Sequence, residues 1–266
     1  MTLETYGEVI ASLSADQISR FPPSRFQHIT TTGSTNDDLR QIVKQGEAGP
    51  FQTIVADYQT TGRGRRGDKW ESSAAKNLLF SVALPLDIPP EHWTRIPHLV
   101  GYLVGNAIEA VVGNIKVQSK WPNDILIGNR KICGTLVETT TQPTPWAVAG
   151  IGLNLNMREE EFPLDLQANA TSLYEVMECE SNRWFILGEI ISGFLDAYPK
   201  LISEFETILD WARQRDFLLG KELQIKTTRG EITGIGSGLG DEGELLIEGP
   251  DKETISVLSA EQLCYR

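Results

Sequence analysis

The sequence predicts an α+β protein: a mixed or antiparallel sheet with flanking helices, followed by a small antiparallel β unit. Three observations predict this fold class. Strand candidates are bunched after a single helix instead of alternating with helices, which argues against a doubly wound fold. Helical periodicity then covers residues 182–213. From residue 217 onward, short alternating apolar runs are separated by glycine-rich turns, as in a small barrel.

Three helical segments follow from apolar spacing and punctuation. Ser34 is a candidate N-cap, with Asp37 three residues on, for a helix that ends before Gly46. A second helix is expected at residues 98–112. Pro199 should kink or divide the helical region, because proline lacks the N–H that a helix interior requires.

Strands are predicted wherever apolar runs lie between turn residues. The strand-rich tail begins near residue 216, so we expect domains at residues 1–215 and 216–266. The strands of the larger domain are expected at residues 25–31, 52–57, 77–84, 115–118, 124–127, 131–139 and 146–154.

The bulk composition restricts the class of function. The net charge of −12 over 266 residues argues against DNA binding, which needs a dominant Lys/Arg surface. The three cysteines are too few and too far apart for a disulfide framework, which indicates a reducing compartment. The chain shows neither a secretory leader nor a clean run of about 20 apolar residues, so we expect a cytoplasmic protein without a membrane span.

The first motif is GRGRRG at residues 62–67. Its glycines let backbone N–H groups converge, and its arginines carry forked donors that match phosphate or carboxylate oxygens. The stretch therefore indicates an anion cradle. Taken alone, it fits a solvated basic loop or an RNA-binding patch equally well.

The second motif is KWPND at residues 120–124, followed by Lys131 at the edge of an apolar strand. Asn123 could donate to or accept from a nucleotide, and Asp124 could hold Mg²⁺ on a polyphosphate. Lys131 would point either to solvent or to an anion. A rigid turn followed by a strand-end lysine is the simpler alternative.

Two further motifs carry polar groups beside exposed backbone. GIGLNLN at residues 150–156 places Gly150, Gly152 and Asn154 on one face of a strand, where the glycines indicate close packing against the backbone. GSTN at residues 33–36 supplies hydroxyl and amide groups beside free helix N–H donors. A bulged edge strand and plain N-capping are the simpler alternatives.

The motifs for several common mechanisms are missing from the sequence. It has no Walker phosphate loop, no GxSxG and no His/Cys metal spacing, and its three histidines lie outside the four motifs. A histidine-based nucleophile is therefore not expected. Any reaction should depend on positioning and charge stabilisation.

Taken in order and spacing, GSTN, YQTTGRGRRGDKW, KWPNDILIGNRKICG and GIGLNLN closely resemble the motifs of the biotin protein ligase family. The resemblance is strong over residues 25–157, and the C-terminal strands look like the family's small SH3-like β-barrel. It implies a class II synthetase-like catalytic fold. It also implies that biotin attacks the α-phosphate of ATP, that pyrophosphate leaves, and that a lysine of a biotin carboxyl carrier protein then receives the biotin. ATP and biotin would be substrates, with Mg²⁺.

The resemblance also implies the site residues. Arg65 and Lys131 would be catalytic, meeting the carboxylate and the phosphate. Asp124 would bind Mg²⁺. The biotin pocket would be lined by Ser34, Thr35, Asn36, Gln59, Gly62, Arg63, Arg65, Lys131 and Gly134. ATP would contact Arg65, Arg66, Trp70, Asn123, Asp124, Lys131 and Asn154. Asp68 departs from the family, in which a basic residue is common at this position.

Three expectations concern organisation and rival functions. The matching region begins near residue 25, so we expect a monofunctional ligase without the family's N-terminal DNA-binding domain. Sheet edges could pair subunits into a homodimer. A lipoate or octanoate ligase is the nearest alternative but should lack GRGRRG. An RNA-binding module is a different alternative, against which the acidic charge and the lack of interleaved aromatic residues argue.

Overall fold

A seven-stranded sheet organises the larger part of the chain. The computed structural model describes residues 3–228 and 230–266, apart from the side chains of Leu3 and Arg66. The strands are β1 (Phe26–Thr32), β2 (Thr53–Gln59), β3 (Leu78–Pro85), β4 (Gln118–Lys120), β5 (Asp124–Ile127), β6 (Arg130–Thr140) and β7 (Trp146–Leu153). Their order is β1-β2-β3-β7-β6-β5-β4, with β1 parallel to β2 and the other neighbours antiparallel.

Helices cover both faces of this sheet. Side chains alternate between the two faces of a strand, so Ile54 packs with Leu39 of one helix while Val55 joins the large core on the other side. The helices are α1 (Leu3–Ile10), α2 (Ala15–Arg20), α3 (Thr35–Lys44), α4 (Ile96–Val112), α5 (Leu173–Met177), α6 (Arg183–Ala197) and α7 (Phe205–Arg213). No helix in the described ranges is long and apolar enough to cross a membrane.

A second, five-stranded antiparallel sheet follows α7. It consists of β8 (Glu222–Thr227), β9 (Gly230–Leu239), β10 (Leu245–Glu248), β11 (Thr254–Val257) and β12 (Gln262–Tyr265), in the order β11-β10-β9-β8-β12. Its buried Ile225 and Ile247 belong to the same hydrophobic core as Leu209 of α7. The N–H of Ser119 donates to the carbonyl of Arg215 at 2.7 Å, which ties the second sheet to the edge of the first.

The α+β prediction is confirmed, with two sheets and flanking helices. Pro199 divides the helical region as predicted, because a short 3₁₀ turn (Tyr198–Lys200) separates α6 from α7. The helix predicted at 98–112 begins earlier, at Ile96, and proline at position 97 is compatible with a first turn. The helices α1, α2 and α5 were not predicted, although the capping box of Ser14 and Gln17 marks the start of α2.

One predicted strand is wrong. Residues 115–118 were expected to form it, but β4 covers Gln118–Lys120. The N–H of Val117 donates to the Glu109 carboxylate of α4 at 3.0 Å, so it is used by a helix side chain instead of a strand neighbour. The other strand predictions agree with the structure to within one or two residues.

Candidate active site

A polar cavity of about 230 Å³ lies against the central sheet, at the start of α3 and beside the loop that follows β2. Its wall also includes the turn between β4 and β5 and residues of β6 and β7. All four sequence motifs therefore contribute to one cavity. Among the predicted site residues, those that line it are Ser34, Thr35, Asn36, Gln59, Arg63, Arg65, Trp70, Asn123, Asp124, Lys131 and Gly134.

Two predicted residues are placed differently, and the side chain of a third is not described. Asn154 lines a neighbouring cavity instead. Gly62 lines neither cavity, and its carbonyl accepts a hydrogen bond from the N–H of Trp70 at 2.9 Å. The side chain of Arg66 lies outside the described part of the structure, so its nucleotide contact stays a prediction.

Four neutral side chains form a connected set, which we call the polar floor: Thr35, Asn36 and Gln59, which line the cavity, and Ser81, which is fully buried and bonded to Thr35 and Asn36. The Thr35 Oγ1 atom lies 2.8 Å from Ser81 Oγ, and Ser81 Oγ donates to Asn36 Oδ1 at 2.6 Å. Gln59 Oε1 accepts the backbone N–H of Thr35 at 2.8 Å. Each floor side chain is thus bonded to the floor, which makes a rigid, uncharged set of donors and acceptors.

The start of α3 differs in detail from its prediction. Ser34 occupies the N-cap position, but its hydroxyl makes no capping bond. The Gln59 carboxamide takes the first free helix N–H instead, and Asp37 pairs with Arg63 at 2.5 Å. Ser34 therefore lines the cavity at the positive end of the helix, where negative groups are favoured.

The glycine- and arginine-rich stretch folds into a tight turn, in which Arg65–Gly67 form a short 3₁₀ helix. The guanidinium of Arg63 is paired with the carboxylates of Asp37 at 2.5 Å and Glu138 at 3.4 Å. Asp68 also lines the cavity. Acidic partners thus offset much of the positive charge in the described part of this loop, which is unlike an open RNA-binding patch.

Arg65 reaches across the cavity to the turn between β4 and β5. Its Nη1 donates to Asn123 Oδ1 at 3.3 Å. Asn123 is itself held by β6, because its Nδ2 donates to the carbonyl of Thr135 at 2.8 Å and its own carbonyl accepts the Thr135 N–H at 3.0 Å. The position of the Arg65 guanidinium therefore depends on the position of this turn.

Five residues line both this cavity and a neighbouring one of about 400 Å³, and we call them the junction. The carboxylate of Asp124 lies 2.7 Å from the Lys131 ammonium and 3.6 Å from that of Lys120. Two ammonium groups on one carboxylate leave an excess of one positive charge where the cavities meet. The junction residues are Lys69, Trp70, Lys120, Asp124 and Lys131.

In the neighbouring cavity, two neutral side chains have buried atoms without a partner, besides Asp124, whose carboxylate is ion-paired with Lys131. Within the described residues, Trp70 Nε1 and Asn154 Oδ1 have no hydrogen-bond partner. The amide nitrogen of Asn154 is occupied, since it donates to the carbonyl of Thr171 at 3.1 Å. A buried unpaired donor or acceptor costs about 1–3 kcal/mol. One donor and one acceptor therefore await a ligand group.

The two glycines of β7 make room for site side chains. A Cβ on Gly152 would lie 2.4 Å from the indole of Trp70, and one on Gly150 would lie 2.3 Å from Asn36 Oδ1. The packing that these glycines indicated in the sequence is thus made by Trp70 and Asn36, which lie directly on the strand. Any larger residue at either position would displace them.

The site supplies charge and positioning rather than a nucleophile. Burial raises the pKa of the Cys133 thiol, so this cysteine stays protonated and inert. In the described ranges, no three His, Cys, Asp or Glu residues are grouped to hold a metal ion. The Asp124 carboxylate is already shared by two lysines. The donor set therefore does not fit a resident metal.

Three residues of the site were missed from the sequence. Ser81 is fully buried in the otherwise apolar β3, and a lone hydroxyl in such a strand is the signal that could have found it. Lys120 belongs to KWPND, yet the sequence does not show that it shares Asp124 with Lys131. Leu263 of β12 lines the first cavity, and no sequence signal indicated this contact.

Comparison with known proteins places these motifs within one family. Residues 26–156 match the model of the biotin/lipoate A/B protein ligase family. The bifunctional ligase/repressor BirA of Bacillus spizizenii is 32% identical over 198 residues, covering 73% of this chain and 61% of that protein. The chain thus spans less than two thirds of the length of this relative. The biotin–[acetyl-CoA-carboxylase] ligase of Mycobacterium tuberculosis is 27% identical over 231 residues, covering 83% and 82%.

A solved structure is similar over most of the chain. The biotin protein ligase from Aquifex aeolicus in complex with biotin and ATP superposes with a TM-score of 0.78 at 28% identity. The match covers 91% of this chain and 99% of that one. The four motifs that line the two cavities all fall within the matched family region.

Proposed function

The chain belongs to the biotin/lipoate A/B protein ligase family, and we propose that it acts as a biotin protein ligase. One observation carries the proposal: a single cavity has the neutral polar floor at one end and the positively charged junction at the other. Biotin has the matching polarity, with a neutral ureido ring at one end and a carboxylate at the other. Its length would place the carboxylate where the two cavities meet.

The polar floor favours biotin over lipoate. A ureido group has N–H donors and a carbonyl acceptor, which can pair with the hydroxyls and carboxamides of Thr35, Asn36 and Gln59. A dithiolane ring has no such groups, so it would make no hydrogen bonds with these side chains. Sites built for hydrogen bonds strongly reject analogues that lack them. The Mycobacterium tuberculosis relative and the Aquifex aeolicus structure are also named for biotin.

We place the nucleotide in the neighbouring 400 Å³ cavity. Its unpaired Trp70 N–H and Asn154 oxygen would pair with an acceptor and a donor of the nucleotide. The α-phosphate would then lie at the junction, beside Lys131 and within reach of Arg65. This assigns Trp70, Asn123, Asp124, Lys131 and Asn154 to ATP, as the sequence predicts, and adds the junction residues Lys69 and Lys120, which the sequence did not predict.

The first chemical step would be attack of a biotin carboxylate oxygen on the α-phosphorus of ATP. A P–O bond to the carboxylate forms, the bond to the leaving pyrophosphate breaks, and biotinyl-5′-AMP results. Both reactants are anions, so the main task of the protein is to offset their repulsion. Lys131 and Arg65, which both line the first cavity, can do so, and such fixed charges stabilise the transition state without reorganisation.

The second step would transfer biotin to a lysine of a carrier protein. The neutral amine attacks the acyl carbon of the mixed anhydride, AMP leaves, and an amide forms. No group of the enzyme becomes acylated, which agrees with the inert Cys133. Magnesium would enter with ATP, where waters and phosphates usually complete its shell, and Asp124 could add a carboxylate only by releasing a lysine.

Several finer assignments belong to the same proposal. We infer that the second sheet is the family's SH3-like barrel and that residues 1–215 and 216–266 are the catalytic and C-terminal domains. The acceptor would be a biotin carboxyl carrier protein, and the free cysteines fit a reducing cytoplasm. A homodimer paired through a sheet edge remains part of this proposal.

ATP–pyrophosphate exchange tests the proposed reaction. The purified protein should exchange label into ATP when biotin is present and should not do so with lipoate. Mass spectrometry of a biotin-acceptor domain should then show the mass of one biotin after incubation with ATP, Mg²⁺ and biotin. Exchange with lipoate alone would assign the chain to the other branch of the family, and exchange with neither acid would reject the proposal.

A further inference from the structure

The turn between β9 and β10 contacts the rear of the active site. The indole N–H of Trp121 donates to the carbonyl of Gly243 at 3.1 Å, and Trp121 is only 5% exposed. Gly243 has a φ of +80°, and a Cβ there would lie 2.2 Å from the imidazole of His98. Glycine is therefore required for the turn to approach both side chains so closely.

A salt bridge anchors the same turn to the first sheet's helices. Arg95 donates from Nε and Nη2 to the two carboxylate oxygens of Glu242, at 2.9 and 2.7 Å. Such paired bonds define both distance and orientation. Arg95 is 8% exposed and lies 4.5 Å from the ring of Phe205, so its own position is determined by packing. The turn is thus held in a defined place.

Trp121 links the position of this turn to the position of Arg65. It is two residues from Asn123, whose Oδ1 accepts the Arg65 guanidinium at 3.3 Å. A cavity of about 170 Å³ adjoins this path and is lined by Arg65, Asn123 and Gly243 among others. Although open space lies beside the turn, the salt bridge to Arg95 and the packing of Gly243 on His98 hold the turn, and the bond from Trp121 to Gly243 ties Trp121 to it.

We propose that Trp121 is a positioning residue for adenylate formation, and that the β9–β10 turn aligns Arg65 through Trp121 and Asn123. The inference rests on the proposed function. It assigns the C-terminal sheet a part in the first half-reaction although the turn contributes no side chain to the first cavity. Trp121 lines the first cavity, but its indole N–H bonds Gly243 and not the polar floor, so the inference separates hydrogen bonding of biotin on the floor from the rate of reaction at the junction.

The test removes a single hydrogen bond. Trp121→Phe keeps an aromatic ring but deletes the donor to Gly243. Trp93→Phe is a matched control, because Trp93 Nε1 also donates to a backbone carbonyl, that of Ile88 at 3.1 Å, outside the two cavities. We expect kcat for ATP–pyrophosphate exchange to fall about tenfold in Trp121→Phe, because small misplacements of a positioned group cost large factors in rate. Biotin affinity without ATP should stay within about twofold, and Trp93→Phe should match wild type in both measurements.

A second variant keeps the inference testable if Trp121→Phe does not fold. Glu242→Gln weakens the anchor of the turn, and kcat should fall about threefold with biotin affinity unchanged. The double variant should be no slower than Trp121→Phe, since both changes act on one path. The inference would be overturned if Trp121→Phe and Trp93→Phe had the same kcat. If Trp121→Phe does not fold, the same kcat in Glu242→Gln and wild type would overturn it. A parallel loss of biotin affinity would indicate a structural role and overturn it too. A wild-type protein without exchange would instead reject the proposed function.

Discussion

The polar floor and the junction differ in how completely their groups are paired. On the floor, Thr35, Asn36 and Ser81 are buried, neutral and bonded to one another before any ligand arrives. At the junction, Lys120 and Lys131 share the single carboxylate of Asp124. The floor is therefore complete by itself, whereas the junction is complete only with anions present. In the proposed function, recognition and reaction are therefore assigned to separate regions of one cavity.

The largest effect is expected at the junction. Lys131→Ala should lower the rate of adenylate formation by about 10²–10³-fold, because it removes a fixed positive charge beside the reacting phosphate. The fold should remain, since Asp124 keeps Lys120 as a partner. Pyrophosphate exchange and thermal unfolding measure the two properties. Lys200→Ala, at an exposed helical ion pair with Glu204, is the control and should leave both unchanged. Wild-type exchange in Lys131→Ala would remove this lysine from the mechanism.

The same comparison shows what the sequence could predict. GSTN, GRGRRG, KWPND and GIGLNLN are contiguous, so each motif carries local information about turns, helix starts and strand faces, and their resemblance to one family implies that they meet. The strands were likewise predicted from local periodicity. Most of the residues that line the cavity were found in this way.

The parts that were missed depend on pairs distant in the chain. Ser81 bonds Asn36 across 45 residues, and Trp121 bonds Gly243 across 122. Nothing in the local pattern around Ser81 or Gly243 indicates its partner. Charge sharing at Asp124 was also missed, because it depends on the side-chain geometry of Lys120 and Lys131. Sequence patterns thus identified the residue types, while the fold determined the pairings.

A smaller effect should follow from breaking the polar floor. Ser81→Ala removes a hydroxyl that is 0% exposed and leaves Asn36 Oδ1 without this donor. We expect the free energy of unfolding to fall by about 1–3 kcal/mol and KM for biotin to rise about tenfold, with a lesser change in kcat. Chemical denaturation and exchange assays over a range of biotin concentrations measure these quantities. A fall in kcat with unchanged KM would contradict the assignment of recognition to the floor.

Trp70→Phe should change stability and ATP affinity in opposite directions, unlike a change on the polar floor. The variant removes an N–H that has no partner in the described residues, so stability without ligand should not fall and could rise by about 1 kcal/mol. KM for ATP should nevertheless rise about fivefold, since the lost donor is assigned to the nucleotide. Stability and affinity therefore change together on the floor but in opposite directions at Trp70. Unchanged KM for ATP would show that this N–H serves no nucleotide contact.

The smallest effect is expected at His98, which packs against the β9–β10 turn. This prediction tests whether the stability of the fold can change at this position without a change in the rate of catalysis. Burial lowers the pKa of His98 to about 4 from a usual 6.5. The unfolded chain therefore binds the proton more readily, so stability is complete above pH 6.5 and is lost as pH falls toward 4. Because the imidazole lines a cavity that water can enter, we expect a loss of only about 1 kcal/mol between about pH 7 and pH 5.

His98→Gln should abolish this difference. Comparing the variant with wild type isolates His98 from groups such as Asp216, whose pKa is raised by burial. Turnover per folded molecule at neutral pH should be the same in both proteins, and a slower variant would mean that His98 also supports the turn that holds Trp121.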